Sequence, residues 1–235
     1  MAALNLGLGS GLEPPFDTLR VEGTEWRHHA RLHAAFAAAN GARSTGSTVA
    51  AFAAEGDAAA EGEEQWRMWV AKPDRMRVEF ALGREQVTAV FEADRWWSWS
   101  PSSGERTNAH ATSPGGAHGR GPGEVLVDPR PIVPTLDMEV LGPSTFVGRS
   151  VSMVRAVPVR PADPAHGFAL HSLGSGADEY GLLVDDERGV LLRSEARRGG
   201  EAFRVVEVTA IEFDRPVPAS VFTPDWIVRG GGPQP

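Results

Sequence analysis

The chain contains no cysteine, a single lysine (Lys72) and no long apolar run. The lack of cysteine excludes disulfides, thiolate nucleophiles and zinc sites built on cysteine. Since nearly all the basic residues are arginines and alanine and glycine are abundant, the composition is typical of a GC-rich genome. No stretch approaches the ~20 consecutive apolar residues that a membrane-spanning helix needs, so we expect no membrane insertion.

The charge balance and the first twenty residues argue against nucleic-acid-binding, lipid-surface-binding and exported proteins. With 31 acidic and 23 basic residues the formal net charge is -8, which disfavours binding to nucleic acid or to anionic lipid surfaces. The first twenty residues have neither a basic start nor a continuous apolar core, because Gly and Ser interrupt them and Glu13 and two prolines follow. They do not form a signal peptide, and if this is the natural start we expect a cytoplasmic protein.

The length of 235 residues suits one large domain or two small ones. We predict a flexible segment over residues 1–20, a single domain over 21–228 and a flexible tail over 229–235, because Gly and Pro concentrate at both ends. A helix is expected over residues 25–40, with Thr24 as its N-cap and Asn40-Gly41 as its stop signal.

The most informative stretch, residues 64–100, alternates large apolar and polar side chains. It is interrupted at Lys72-Pro73-Asp74, at Gly83 and at Ala93-Asp94, which predicts an antiparallel meander with one apolar and one polar face. Arg67, Arg75, Arg77, Glu79 and Thr88 fall on the polar face. The residues assigned to the apolar face, which are also the candidate ligand-binding residues, are Trp66, Met68, Met76, Val78, Phe80, Val87, Phe91, Trp97 and Trp99.

This apolar face has two interpretations. It is either core, packed under the N-terminal helix, or a core that includes a ligand cavity. Full burial of each large side chain contributes ~1.5–3 kcal/mol, which suffices to explain a core. Methionine adapts to different neighbours, which favours a pocket. Trp69, Trp96 and Trp226 are expected at an edge or outward, as a partner surface.

The rest of the chain predicts further strands and few helices. We expect a strand over residues 47–55, a flexible loop over 101–123, a short helix over 134–140 and a strand over 146–160 bent near Gly148. Two hairpins follow, with strands over 179–184, 190–196 and 202–213, and a short turn or helix over 216–222. The predicted fold is mainly β (α+β), a curved antiparallel sheet of about 9–11 strands whose concave face is covered by the N-terminal helix and short helices.

The order of several short segments resembles the lipoprotein-carrier (LolA-like) and sigma-regulatory (RseB/MucB N-terminal-like) superfamily. These segments are WRMWVAKPDRMRVEF, EADRWWSWSPSSG, VLVDP, FVGR, YGLLVD with VLLR, and IEF leading to FTP. The resemblance implies an unclosed β-barrel of about eleven strands with helices in its concave side, and a hydrophobic cavity that holds acyl chains. The carriers of that family latch a helical lid with an inward-facing arginine, and the sequence assigns that role to no arginine here.

Three functions follow as hypotheses. The first is non-enzymatic binding of a hydrophobic small molecule or acyl chain, and the second is a regulatory protein–protein interaction module. The third is a metal-assisted hydrolase using His29 and His33, which stand one helical turn apart; solvated histidines on a helix face are the alternative interpretation. No nucleophile elbow, phosphate loop or calcium loop is present, so we assign no catalytic residue, cofactor or metal ion.

Overall fold

A computed structural model describes residues 15–40, 61–82, 85–107, 121–130, 132–159 and 173–224. Eleven strands form one antiparallel sheet in the order β6-β5-β4-β3-β2-β1-β11-β10-β9-β8-β7, and the sheet is not closed into a barrel. The strands are β1 (Thr18–His28), β2 (Glu61–Ala71), β3 (Arg75–Leu82), β4 (Glu85–Glu92), β5 (Arg95–Ser100), β6 (Gly104–Thr107), β7 (Leu136–Phe146), β8 (Arg149–Pro158), β9 (Glu179–Asp185), β10 (Leu191–Arg198) and β11 (Glu201–Phe213).

The helices are few and short. They are α1 (His29–Asn40), α2 (Glu124–Val127) and two 3-10 turns, Val133–Thr135 and Ala219–Phe222. Neither helix of the described residues has the length and apolar character needed to cross a bilayer. The prediction of a mainly β, open antiparallel sheet is therefore confirmed.

By their contacts, the residues divide into two compact units. Unit 1 comprises residues 1–15, 23–64 and 122–209, and unit 2 comprises residues 16–22, 65–121 and 210–235. The single domain over 21–228 stays a prediction. The described residues of unit 1 include α1, α2, β7–β10 and most of β11, and those of unit 2 include β3–β6 and the C-terminal 3-10 turn.

The N-terminal helix begins later than the sequence predicts. Residues 25–28 belong to β1, so Thr24 lies inside a strand and the predicted helix over 25–40 is wrong in its first turn. Buried positions alternate along β1 at Leu19, Val21, Gly23 and Glu25, which is the two-residue period of a strand. Glycine and glutamate at two of those positions hide the alternation in the sequence.

The flexible segment predicted over residues 1–20 ends earlier in the structure. Strand β1 begins at Thr18, and Phe16 is buried with its ring 5.7 Å from that of Phe213. The first strand predicted, over residues 47–55, lies outside the described residues, as do Trp226 and most of the loop predicted over 101–123. Strand β6 lies within that predicted loop.

The helix predicted over residues 134–140 is wrong. Pro134 lies in a 3-10 turn, and β7 begins at Leu136. Leu136, Met138 and Val140 alternate with Asp137 and Glu139, and this two-residue period outweighs the helix-start signal of the proline.

The continuous strand predicted over residues 146–160 is two strands. Val147 and Gly148 have φ of 50° and 71°, and Phe146 pairs with Arg149 across them. Positive φ at both central residues is typical of a tight hairpin turn. The C-terminal hairpins agree better with prediction, since β9, β10 and β11 lie within one or two residues of the predicted bounds.

Candidate functional site

The candidate site lies on one face of the meander β2–β5 in unit 2, which we call the Trp66 face. Residues directly opposite each other in an antiparallel sheet share a face. Trp66 pairs with Phe80 and Phe80 with Val87; Met68 pairs with Val78 and Val78 with Ala89. A third row consists of Val70, Met76, Phe91 and Trp96.

Most of the predicted apolar residues are buried on this face. The side chains of Met68, Val78 and Val87 are at most 1% exposed. Trp66, Phe80 and Phe91 are also buried, whereas Met76 is half-buried. The structure thus brings seven of the nine predicted residues onto one face, as the alternation from 66 to 91 predicts.

Trp97 and Trp99 lie on the opposite face, and their assignment to the apolar face is wrong. Val90 pairs with Trp97 and Thr88 with Trp99, so both indoles share the face of Arg77 and Glu79. The reason is the turn at Ala93-Asp94, which is two residues long and pairs Glu92 with Arg95. A turn of two residues pairs odd-numbered residues of β4 with even-numbered residues of β5. The length of the turn therefore predicts, from the sequence alone, that Trp97 and Trp99 do not share a face with Phe91.

Small serines occupy the positions on the Trp66 face that the indoles would have taken. Ser98 pairs with Ala89, and both are fully buried. Ser100 lies two residues further along the same face at 1% exposure, with its hydroxyl 2.8 Å from that of Ser103. The Trp66 face therefore combines large aromatic and sulfur-containing side chains at one end with small side chains at the other.

The opposite face is partly covered by the C-terminal 3-10 turn Ala219–Phe222, which contacts β3 and β4. Arg77 donates a hydrogen bond to the backbone oxygen of Val221 at 3.2 Å, and the guanidinium of Arg75 lies 5.1 Å from the ring centre of Phe222. Arg95 lies 5.5 Å from the ring centre of Trp97, which is half-buried. This face is an aromatic and charged surface rather than a purely solvated one.

Part of the Trp66 face is covered by the chain at Gly121. A Cβ at this position would lie 3.1 Å from Cδ1 of Phe80, and φ of Gly121 is +74°. Both observations favour glycine here, since its backbone approaches an aromatic ring in the left-handed region. The described contacts of α1 are with unit 1, so the cover of the Trp66 face by the N-terminal helix stays a prediction.

Unit 1 contains a buried charge cluster that the sequence analysis missed. Its members are Glu25 and Arg27 on β1, Glu64 on β2 and Arg204 on β11. Glu25 Oε1 accepts hydrogen bonds from Arg204 Nε at 2.6 Å and from Arg27 Nε at 2.7 Å, and Arg27 Nη1 donates to Glu64 Oε2 at 3.2 Å. Two carboxylates and two guanidinium groups leave the cluster neutral.

The electrostatics of the cluster follow from its burial. Burial alone would raise the pKa of Glu25, but the charges of Arg204 and Arg27 and their hydrogen bonds lower it to about 2. Burial and the charge of Glu25 raise the pKa of Glu64 in spite of Arg27. Burial also raises the pKa of Tyr180, whose hydroxyl donates to the backbone oxygen of Gly174 at 2.9 Å. The two guanidinium groups thus hold Glu25 in its charged form.

The positions of the histidines and carboxylates give little support to the hypothesis of a metal-assisted hydrolase. His29 and His33 lie one turn apart on α1 as predicted, and burial together with Arg27 lowers the pKa of His29. Among the described residues, however, no group of three or more His, Asp or Glu side chains is placed to hold a metal ion. The acidic turn after β9 is held by Arg149, which binds both Asp185 and Glu187.

Comparison with solved structures shows the fold. MucB has a TM-score of 0.50 and 12% identity, over 88% of this chain and 57% of MucB. A LolA superfamily protein from Nitrosomonas europaea has a TM-score of 0.33 and 10% identity, over 94% of this chain and 96% of that protein. The lipoprotein LppX from Mycobacterium tuberculosis has a TM-score of 0.43 and 10% identity, over 87% of this chain and 90% of LppX.

No protein-family model matches the chain, and the search of curated proteins found no match. The chain spans little more than half the length of MucB. At these identities the likeness concerns the fold and not the activity. At the level of the fold, the resemblance predicted from the sequence is confirmed, because the chain shares the fold of MucB.

Proposed function

We propose that the protein binds a hydrophobic small molecule or an acyl chain without catalysing a reaction, and that the Trp66 face of unit 2 forms the binding surface. The observation that carries this proposal is the composition of that face. Trp66, Phe80 and Phe91 supply broad apolar surface, while Ala89, Ser98 and Ser100 supply little bulk. Pockets for apolar ligands are lined mainly by hydrophobic and aromatic side chains with a few polar groups.

The methionines support the same proposal. Met68 and Met76 lie in adjacent rows of the face, and both are next to Val78. An unbranched thioether side chain changes conformation at low cost, so it can pack against ligands of different shape. The charged residues of β3, Arg75 and Arg77, belong to the opposite face and are engaged by the C-terminal turn. The Trp66 face therefore presents no cation to a charged ligand from β3.

Ligand binding is tested first on the unaltered protein. Native mass spectrometry of gently purified protein is expected to show additional mass, and purified protein is expected to bind the fluorescent fatty acid cis-parinaric acid. Protein that carries no additional mass and does not bind the probe contradicts the proposal.

The variant Ala89→Leu tests the location of the site. Ala89 is fully buried at the centre of the Trp66 face, and leucine would occupy space next to Val78. If the face binds ligand, we expect at least a tenfold loss of affinity for cis-parinaric acid, equivalent to about 1.4 kcal/mol, with little loss of stability. Fluorescence titration and chemical denaturation measure the two effects.

Gln86→Leu provides the matched control, since Gln86 is exposed on the other face of the same strand. It is expected to change neither affinity nor stability. If Ala89→Leu instead lowers the free energy of unfolding by about 1–3 kcal/mol, as overpacking does, and leaves ligand affinity unchanged, the face is core and the site lies elsewhere.

A protein-interaction module is the second candidate, favoured by exposed apolar residues in unit 1. Among the described residues, the exposed large hydrophobic side chains are Leu141, Val147 and Val159, at 58%, 38% and 58%. Leu141 lies at a bulge in the edge strand β7, and Val147 lies in the turn that follows. Exposed apolar side chains along an edge strand and its turn favour pairing with another chain.

Leu141→Ser tests this second candidate. If β7 binds a partner protein, the variant is expected to lose a partner that the unaltered protein retains at equal stoichiometry in a pull-down from the source cells. Ser144→Ala, an exposed change on the same strand, serves as the control. Equal recovery of the partner by Leu141→Ser and by the unaltered protein argues against β7.

A further inference from the structure

Strand β7 is the last strand in the order of the sheet, so among the described residues no strand pairs with its outer edge. An edge strand presents unpaired backbone N–H and C=O groups, which can bind one more strand. β7 has eleven residues, whereas β6, the strand at the other end of the order, has four. Of these two edges, β7 therefore offers the longer template for an added strand.

The regular part of this edge covers residues 136–140. These residues pair one by one with β8, and the register shifts between Val140 and Gly142. Pro143 follows, and a proline has no N–H group to donate. Because a bulge and a proline both hinder strand addition at an edge, an added strand would end before Gly142.

The side chains of this regular part alternate in chemistry. Asp137 and Glu139 are exposed, and Met138 and Val140 are half-buried. Successive side chains of a strand point to opposite faces of the sheet. The edge therefore has one acidic face and one apolar face.

The two carboxylates are weakly engaged within the protein. Glu139 Oε2 lies 3.7 Å from Arg155 Nη1, but Arg155 Nε binds Glu179 more closely, at 2.6 Å. No ion pair with another described residue engages Asp137. Both carboxylates are thus accessible to a strand that lies beside β7.

These properties specify the sequence of an added strand. Side chains directly opposite each other on neighbouring strands interact, and opposite charges stabilise the pair. Basic residues are therefore favoured opposite Asp137 and Glu139, and apolar residues are favoured opposite Met138 and Val140. The net charge of -8 also attracts a basic partner. The complementary strand alternates basic and apolar residues.

A second copy of the chain fits this edge poorly. If β7 paired antiparallel with β7 of another molecule about Met138 or about Glu139, carboxylates of the two copies would lie directly opposite each other. Like charges in that position destabilise a sheet. The charges thus favour a basic segment of a different protein.

We propose that residues 136–140 of β7 bind an extended segment of a partner protein in which basic and apolar residues alternate, and that this segment is added to the sheet as a further strand. The inference rests on the second candidate function, the protein-interaction module, and concerns a different surface from the Trp66 face. It specifies the conformation and the charge of the bound segment.

Two labelled peptides test the charge pattern on the full chain. They are the basic peptide acetyl-TVKVKVT-amide and its acidic counterpart acetyl-TVEVEVT-amide, compared by fluorescence anisotropy at pH 7 and low ionic strength, where exposed charge pairs are strongest. The unaltered protein is expected to bind the basic peptide at least tenfold more tightly than the acidic one. Absence of binding to the basic peptide, or equal binding of both peptides, overturns the inference.

The double variant Asp137→Lys/Glu139→Lys reverses the charge of the edge. It is expected to bind the basic peptide at least tenfold more weakly than the unaltered protein does and to prefer the acidic peptide, because attraction and repulsion exchange places. Tm is expected to stay close to that of the unaltered protein, since both side chains are exposed.

The double variant Glu63→Lys/Glu212→Lys is the matched control. It changes the net charge by the same amount at two exposed residues of other strands, so it is expected to keep the preference for the basic peptide. If both double variants lose the basic peptide equally, the attraction is that of the whole chain and the inference is overturned.

Backbone methylation tests strand addition itself. In an extended peptide, alternate N–H groups point to opposite edges, and only one edge can bind β7. We therefore compare two versions of the basic peptide, each N-methylated at the amides of one edge. One version is expected to bind like the unmodified peptide and the other at least tenfold more weakly. Similar affinities of the two versions contradict an added strand.

The remaining outcomes separate this inference from the function on which it rests. If the unaltered protein dimerises in analytical ultracentrifugation and Asp137→Lys/Glu139→Lys does not, the edge binds a second copy and the inference is overturned. If Leu141→Ser loses a cellular partner but the unaltered protein binds neither peptide, the interaction module stands and the inference is overturned. If no cellular partner is found and neither peptide binds, both fail.

Discussion

Replacing Glu25 by alanine is expected to lower the free energy of unfolding by about 3–5 kcal/mol, the cost of breaking a buried ion pair from one side. Glu25 is 2% exposed and accepts hydrogen bonds from both Arg27 and Arg204. Its removal leaves two guanidinium groups on adjacent strands with Glu64 as the one remaining carboxylate of the cluster. Equilibrium denaturation in urea measures the loss.

The control for this prediction lies on the same strand. Glu22 forms an ion pair with Arg20 at 2.9 Å, and both side chains are substantially exposed. Surface pairs contribute ~0–1 kcal/mol, so Glu22→Ala should have a small effect. Similar losses for Glu22→Ala and Glu25→Ala would show that burial of the cluster does not determine its contribution.

The pH dependence gives an independent check of the same residue. Since the pKa of Glu25 is lowered from 4.5 to about 2 in the folded protein, its stabilising effect is present above pH 4.5 and is lost as pH falls toward 2. This loss is on the order of 3 kcal/mol. Glu25→Gln cannot titrate there, so the stability difference between it and the unaltered protein should shrink between pH 5 and pH 2. A constant difference contradicts the assignment.

Gly176→Ala is expected to lower the free energy of unfolding by about 2–5 kcal/mol, combining a left-handed backbone with overpacking. Glycine 176 has φ of +84°, and a Cβ there would lie 1.9 Å from the backbone oxygen of Ala35 on α1. Backbone atoms cannot move aside as the end of a flexible side chain can. The substitution should therefore separate α1 from the chain before β9, both in unit 1.

Gly200 provides a matched control for Gly176. It has the same φ of +84°, but a Cβ there would meet nothing within 4 Å. Gly200→Ala should therefore cost only about 1–2 kcal/mol, from the backbone conformation. The difference between the two variants measures the close approach to α1. Equal unfolding free energies for both would mean that α1 shifts freely away from residue 176.

Much of the fold is predictable because the two-residue period is strong where the polar face is charged. Strands β2 to β4 and β9 to β11 are of this kind, and their turns carry glycine, proline or aspartate. The period is obscured in β1, where Gly23 and Glu25 take buried positions. In β7 the prediction gave the proline near the start more weight than the regular alternation, which the structure follows. In both β1 and β7, residues that are uncommon in strands led to the prediction of a helix.

The candidate site was harder to predict than the fold because it depends on pairing between strands. Alternation along β5 is the same whether Trp97 or Ser98 points to the Trp66 face, and only the length of the preceding turn decides between them. Glu25 binds Arg204, which lies 179 residues further along the chain, and Arg27 binds Glu64, which lies 37 residues further along. No local pattern reveals such a cluster.

The turn at Ala93-Asp94 is two residues long, and this length decides which side chains of β5 lie on the Trp66 face. One additional residue after Asp94 would rotate β5 by half a turn relative to β4, bringing Trp97 and Trp99 onto the Trp66 face in place of Trp96, Ser98 and Ser100. The same six-residue strand would then fill the space where a ligand is proposed to bind. Relatives of this protein could thus acquire or lose a pocket by insertion or deletion in a loop, without any substitution among the residues that line it.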